Sequence, residues 1–133
     1  MSKVHIVNIH TTDCSGMKNY YYIGKSKKGN PLSNPFSYDP NHNSAKNLTF
    51  KSREKCIEAY RQYFKACYNK TGQESLTRMF NEIYSHYIND EDIYLGDLEN
   101  PNDSHGIVIA DELRKKAIRE QIARKRLEAL NHA

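Results

Sequence analysis

The sequence predicts an α/β fold, a single compact domain with a small sheet flanked by helices and a long basic C-terminal helix. Short β-branched segments alternate with longer segments of helical periodicity, which is typical of α/β domains. The 133 residues suffice for one domain of ordinary size. Because 38% of them are hydrophobic, the chain also has the material for a single core.

Two strands are predicted near the start of the chain. Residues 4–10 are rich in Val and Ile, and residues 19–24 contain three consecutive tyrosines followed by isoleucine. Such residues favour strands. Residues 25–49 then form a long irregular segment that holds three of the four prolines. A loop of this length in a compact domain is usually functional or disordered.

Two amphipathic helices and a short strand follow. Ser52 is a suitable N-cap for a helix over residues 53–69. The spacing of Thr71 and Glu74 is that of a capping box, which predicts the start of a second helix. Residues 92–96 then indicate a short buried strand.

The last helix is predicted from Ile107 nearly to Leu130, a stretch without Gly or Pro. The chain therefore divides into an α/β ligand-binding-like domain, residues 1–113, and a basic amphipathic helical extension, residues 114–133. An apolar stripe on the extension indicates a homo-oligomer formed through this helix, or packing on its own domain. It comprises Leu113, Ala117, Ile118, Ile122, Leu127 and Leu130.

The net charge and the cysteine content indicate which partners and which cellular compartment to expect. A net charge of +4 weakly favours anionic partners, nucleic acid among them. Three cysteines without a C-x-x-C pair argue against a disulfide framework, and Cys56 and Cys67 are expected to be buried in helices. Without a long apolar N-terminal run, we expect a cytoplasmic protein with no membrane span.

The first candidate site is the loop after the second predicted strand. Residues 22–29 read Y-I-G-K-S-K-K-G. Glycines allow close backbone approach, and amide groups together with Lys25, Lys27 and Lys28 can hold a phosphate. The Walker spacing is absent, so this is not a P-loop. A solvated hairpin loop is the alternative.

The second candidate is the pair of Asn-Pro steps in residues 29–36, G-N-P-L-S-N-P-F. The residue before each proline is restricted to extended backbone. The amides of Asn30 and Asn34 suit base or ribose edges, and Phe36 either stacks on a ring or anchors the loop in the core.

The third candidate is residues 95–106, L-G-D-L-E-N-P-N-D-S-H-G, between the last strand and the last helix. Ligands often bind beyond the carboxyl ends of strands in α/β proteins. Asp97, Glu99 and His105 suggest a divalent metal site, for magnesium or manganese, or an acid/base set. The alternative is a polar turn in which Asp103 or Ser104 caps the helix.

These residues together resemble an uncharacterised domain family of phages and bacteria. Its members read Y-I-G-R, then G-x-P-L-G-N-P-F, then T-R-E-E opening a helix, and finally L-G-C-x-C-x-P-x-x-C-H-G. This chain has Y-I-G-K at 22–25, the Asn-Pro motif at 29–36, S-R-E at 52–54, and Leu95, Gly96, Pro101, His105 and Gly106 in the final motif. The resemblance covers about residues 4–113.

This sequence departs from the family pattern at the positions that would carry metal or thiol chemistry. The cysteines of the family fall on Asp97, Glu99 and Ser104 here, and its arginine after Y-I-G is Lys25. The resemblance implies a fold and a pocket location. Soft-metal or thiol chemistry cannot continue with these residues. Either the pocket remains without that chemistry, or the site suits a hard cation.

We therefore expect non-catalytic binding of a phosphorylated small molecule, a nucleotide, in the manner of a phage protein that sequesters a host immune nucleotide signal. In a phage-infected cell this would occur in the host cytoplasm. The alternatives are a metal-assisted enzyme acting on a nucleotide or nucleic acid, and a nucleic-acid- or protein-binding module that uses the basic helix. The candidate ligand-binding residues are Tyr22, Gly24, Lys25, Lys27, Lys28, Asn34, Phe36, Arg53, Asn100, His105 and Gly106.

Overall fold

The computed structural model describes residues 3–39, 41 and 49–132. Its elements in chain order are β1 (Val4–Asn8), β2 (Tyr20–Tyr22), β3 (Ser37–Tyr38), β4 (Thr49–Phe50), α1 (Arg53–Cys67), α2 (Glu74–Ile88), β5 (Ile93–Asp97), a 3₁₀ turn (Pro101–Asp103) and α3 (Gly106–Asn131). The predicted α/β fold with a small sheet and a long C-terminal helix is confirmed. Residues 40 and 42–48 of the predicted irregular loop lie outside the described residues.

The main sheet has three parallel strands in the order β1-β5-β2. Asn8 pairs with Asp97, and Tyr22 pairs with Gly96. The carboxyl ends of all three strands therefore meet at one edge of the sheet, where ligands commonly bind in parallel α/β proteins. A second, two-residue parallel pairing joins β3 to β4 inside the segment that the sequence indicated as irregular.

The first two helices begin for different reasons. At the start of α1 the Ser52 side chain accepts a hydrogen bond from the amide of Lys55, so the predicted cap is confirmed. The prediction of a capping box at Thr71 is wrong. Gly72 adopts a φ of +92°, and the Gln73 amide donates to the Lys70 carbonyl. This turn delays the start of α2 to Glu74.

One hydrophobic core joins the sheet to all three helices. Ile93 and Leu95 of β5 are fully buried within it, as are Ile23 and Leu32 from the loop region. The helices contribute the remaining buried side chains: Tyr60, Phe64, Cys67, Leu76, Phe80, Ile83, Tyr84, Val108, Ile109 and Leu113. The expected burial of Cys56 and Cys67 is confirmed.

The second half of α3 projects from this core. Every described residue from Ile118 onward is exposed. The predicted single apolar stripe is not formed, since Leu127 follows Ile118 by nine residues and 3.6 residues per turn place the two on opposite sides of the helix. Among the described residues, no helix combines the length and apolar character that a membrane span requires.

Gly96 permits close packing between neighbouring strands. A Cβ at this position would collide with the ring and hydroxyl of Tyr20 on β2. We predict that Gly96→Ala lowers the free energy of unfolding by about 1–3 kcal/mol, because overpacking forces side chains from their preferred positions. Urea unfolding measures this loss.

The double variant Gly96→Ala with Tyr20→Ala serves as the control. Removing the ring should relieve the collision, so the two changes should be non-additive. Additive losses would contradict the assigned contact.

Candidate ligand-binding cleft

A cleft of about 260 Å³ lies at the carboxyl edge of the sheet. Its walls come from the end of β5, the loop after β2, the strand β3 and the first turn of α1. The lining residues are Gly24, Lys25, Asn34, Phe36, Ser37, Tyr38, Arg53, Cys56, Ile57, Asp97, Leu98, Glu99, Asp103 and His105.

His105 braces one wall of this cleft from inside the core. Its Nε2 lies 2.9 Å from the carbonyl oxygen of Ile23 and 3.1 Å from that of Leu32. The hydroxyl of Tyr60 donates to the same Leu32 carbonyl at 2.8 Å. A carbonyl oxygen only accepts, so Nε2 carries the proton and donates to both loop carbonyls.

The buried ring of His105 is electrically neutral at neutral pH. Burial lowers the pKa of His105 below its ordinary value of 6.5, and the nearby Asp97 carboxylate opposes this only in part. Nδ1 lies 3.4 Å from Asp97 Oδ2, beyond a good hydrogen bond. In the neutral ring, Nε2 keeps its proton for the two loop carbonyls, and the lone pair of Nδ1 faces Asp97 Oδ2 without a hydrogen bond.

Asp97 ties the end of β5 to the start of α3. One carboxylate oxygen accepts from the Ser104 hydroxyl at 2.5 Å, and the other accepts from the Leu98 amide at 2.7 Å. The Ser104 hydroxyl oxygen in turn accepts from the Gly106 amide at 2.9 Å. The Gly106 N–H, predicted as an anion contact, is therefore buried and already bonded within the protein.

Asn30 of the Asn-Pro motif holds the same loop that His105 contacts. Asn30 Nδ2 donates to the carbonyls of Tyr22 and Gly24, and its Oδ1 accepts from the Leu32 amide. Leu32 is fully buried. The side chain of Asn30 thus holds the loop rather than a ligand.

Asn34 and Phe36 reach the cleft itself. Asn34 Oδ1 accepts from the Phe36 amide, and its Nδ2 lies 3.6 Å from the sulfur of Cys56. The Phe36 ring meets Phe50 and Tyr63 edge-on at centroid distances of 5.7 and 6.2 Å. Phe36 therefore anchors the loop and also lines the cleft.

Two cations of the cleft have different surroundings. Lys25 Nζ lies 3.1 Å from the Ser37 hydroxyl, and no carboxylate of the described residues forms an ion pair with it. Arg53 lies 2.8 Å from Glu99 Oε2 and 4.0 Å from Asp103 Oδ2. Lys25 is thus the less compensated of the two positive charges.

Arg53 is also fixed from the side. Its guanidinium carbon lies 4.3 Å from the centroid of the Tyr38 ring, within the range of a cation–π contact. Burial alone would lower the pKa of Arg53, but the hydrogen bond that Arg53 donates to Glu99 and the charges of Glu99 and Asp103 outweigh it and raise this pKa. The guanidinium therefore stays charged and oriented.

Cys56 lies in the first turn of α1 beside these groups. Burial raises the pKa of its thiol, and the Asn34 amide, Lys25 and Arg53 offset this only in part. The thiol is therefore protonated at neutral pH and is a weak nucleophile.

The predicted ligand-binding residues divide into two sets. Six line the cleft: Gly24, Lys25, Asn34, Phe36, Arg53 and His105. The other five do not: Tyr22, Lys27, Lys28, Asn100 and Gly106.

The members of the second set have other surroundings. The Tyr22 hydroxyl donates to the Lys25 carbonyl. Lys27 and Lys28 are exposed on the loop. Asn100 accepts a hydrogen bond from Asn8 at 2.9 Å. Because these side chains face solvent or bond to the protein, they do not contribute to the cleft.

The alternative metal set is not assembled. Asp97, Glu99 and His105 all line the cleft, but within the described ranges no three His, Cys, Asp or Glu side chains are grouped as metal ligands. Nε2 of His105 bonds to loop carbonyls, and Glu99 pairs with Arg53. These contacts disfavour the proposed divalent site.

Sequence reasoning missed several residues of the cleft, among them Ser37, Tyr38 and Cys56. Cys56 lies three positions after Arg53 on a predicted helix, so it shares a helix side with Arg53. That spacing was a usable signal. No comparable signal marks Tyr38, because its position depends on the pairing of β3 with β4.

Comparison of the chain with protein families, curated proteins and solved structures found no match. The resemblance described above therefore remains a prediction from motifs.

The burial of His105, which lowers its pKa, predicts that the free energy of unfolding depends on pH. The unfolded chain protonates this ring near pH 6.5, whereas the folded protein resists protonation because the pKa is lowered. The stabilisation is complete above pH 6.5 and is lost as the pH falls below it. Urea unfolding between pH 7.5 and 5.5 measures the slope.

His105→Gln is the matched variant, since its amide can still donate to a loop carbonyl but does not titrate. We expect a loss of about 1–3 kcal/mol at pH 7.5 from the poorer bonding of the two buried carbonyls. We also expect a smaller decline of its stability toward pH 5.5. An unchanged pH slope would contradict the assignment of the titrating group.

Proposed function

We propose that this protein binds a phosphorylated small molecule, a nucleotide, in the cleft at the carboxyl edge of the sheet, without catalysis. The observation that carries the proposal is Lys25. Its ammonium lines the cleft and contacts a hydroxyl. A phosphate bound there would gain charge-assisted hydrogen bonds.

The neighbouring side chains suit the remainder of such a ligand. Phe36 and Tyr38 offer aromatic surface, and Asn34 offers an amide. The volume of about 260 Å³ lies just below the usual range for ligand pockets. It favours a single nucleotide over a dinucleotide.

The protonation states and contacts of the cleft support binding without turnover. His105 uses Nε2 as a donor to the protein, so this nitrogen is not a general base. The Asp97 carboxylate bonds to Ser104 and Leu98. Cys56 is a protonated, buried thiol. A protein that holds a nucleotide unchanged acts by lowering its free concentration, so sequestration of a nucleotide signal is the activity we propose.

Calorimetric titration with the four ribonucleoside 5′-monophosphates tests this proposal. We expect saturable binding of at least one of them, and binding about ten- to a hundredfold weaker for Lys25→Ala. That range corresponds to the loss of one charged hydrogen bond, about 1.5–3 kcal/mol. The bound nucleotide should be recovered unchanged.

Lys27→Ala and Lys28→Ala are matched controls on the same loop, and both side chains are exposed outside the cleft. They should retain the affinity of the unmodified protein. Equal losses for all three lysines would point to a diffuse charge effect and contradict the site. Absence of heat with every nucleotide would overturn the proposed function.

A further inference from the structure

We infer that the ligand of this cleft carries one phosphate together with a free vicinal diol, as a nucleoside 5′-monophosphate does. This inference rests on the proposed function and deepens it. It starts from the excess of carboxylates around Arg53. A single guanidinium charge needs one carboxylate, yet Glu99 and Asp103 both approach it.

Both carboxylates keep acceptor capacity for a ligand. Only Oε2 of Glu99 bonds to Arg53, and Asp103 approaches Arg53 at 4.0 Å, which is longer than a hydrogen bond. Their side chains are 46% and 39% exposed, and both line the cleft. An ionised carboxylate only accepts hydrogen bonds, so these groups suit hydroxyls and repel phosphate.

The charges of the cleft also limit the number of phosphates. The lining carries two positive charges, on Lys25 and Arg53, and three carboxylates, on Asp97, Glu99 and Asp103. The Asp97 carboxylate accepts hydrogen bonds from Ser104 and Leu98. One phosphate can take Lys25 as its partner. A second or third phosphate would add charge beside the carboxylates, and like charges at short range are unfavourable. The cleft therefore suits a monophosphate better than a triphosphate.

The carboxylates are held in position before a ligand arrives. The Arg53 guanidinium is planar, rests on the Tyr38 ring and bonds to Glu99. A fixed guanidinium orients the carboxylate that it binds. Such preorganisation lowers the entropic cost of recognising a diol. Acidic side chains recognise ribose hydroxyls in this manner in dinucleotide-binding folds.

The test compares AMP with 2′,3′-dideoxy-AMP and with ATP by calorimetric titration. We expect AMP to bind about ten- to a hundredfold more tightly than dideoxy-AMP, as expected for hydrogen bonds to a charged acceptor. We also expect AMP to bind more tightly than ATP. Glu99→Gln and Asp103→Asn should each reduce the ratio between AMP and dideoxy-AMP, and Glu128→Gln, an exposed acid on α3, should leave it unchanged.

The outcomes separate the two proposals. Equal affinity for AMP and dideoxy-AMP, with Lys25→Ala weakening both, overturns diol recognition and leaves phosphate binding intact. Tighter binding of ATP than AMP overturns the limit to one phosphate. Absence of binding by all three nucleotides and by the other three ribonucleoside 5′-monophosphates overturns the proposed function and this inference together. Should a variant fail to fold, the AMP to dideoxy-AMP ratio of the unmodified protein decides the question.

Discussion

The cleft depends on the hydrogen bonds from the buried His105 ring to the carbonyls of Ile23 and Leu32. These carbonyls belong to a loop that has left the sheet, so no strand ladder satisfies them. The ring supplies a donor from the start of α3, and the Tyr60 hydroxyl is a second donor to the Leu32 carbonyl. Asp97 and Ser104 hold the same start of α3 against the end of β5. One buried polar cluster thus fixes three segments that meet at the edge of the sheet.

This arrangement separates structural from ligand-facing polar groups. The groups beneath the cleft, His105, Asp97 and Ser104, bond to the protein and are buried. The charged groups at its mouth, Lys25, Arg53 and Glu99, retain partial exposure. Replacing an inner group leaves a buried partner unsatisfied, which costs stability. Replacing an outer group should change binding with little effect on the fold, because solvent can compensate for the lost contact.

Much of the fold was predictable from local patterns in the sequence. The β-branched strands and the Ser52 cap produced the expected elements, because hydrophobic spacing and capping act within a few residues. Thr71 failed as a cap because the positive φ of Gly72 inserted an additional turn. The β3–β4 pairing was missed, since two residues carry too little pattern to indicate a strand.

The residues of the site were predictable only where they belong to a local sequence pattern. Lys25, Asn34, Phe36 and Arg53 were found because each belongs to a motif or a helix start. The internal hydrogen bonds of His105 and Gly106 were not predicted, since the His105 ring bonds to residues far away in sequence and the Gly106 amide donates to the Ser104 hydroxyl. Lys27 and Lys28 were included by proximity to Lys25, but their side chains extend outside the cleft.

The central claim is that the loop braced by His105 forms the wall of a nucleotide site. Mapping of backbone amide shifts by NMR during titration with AMP tests it most directly. The account predicts saturable shifts confined to the cleft, at Lys25, Ser37, Arg53 and Glu99, with the amides of residues 118–132 unmoved. Saturable shifts centred on α3, or no saturable shift at all, would contradict it.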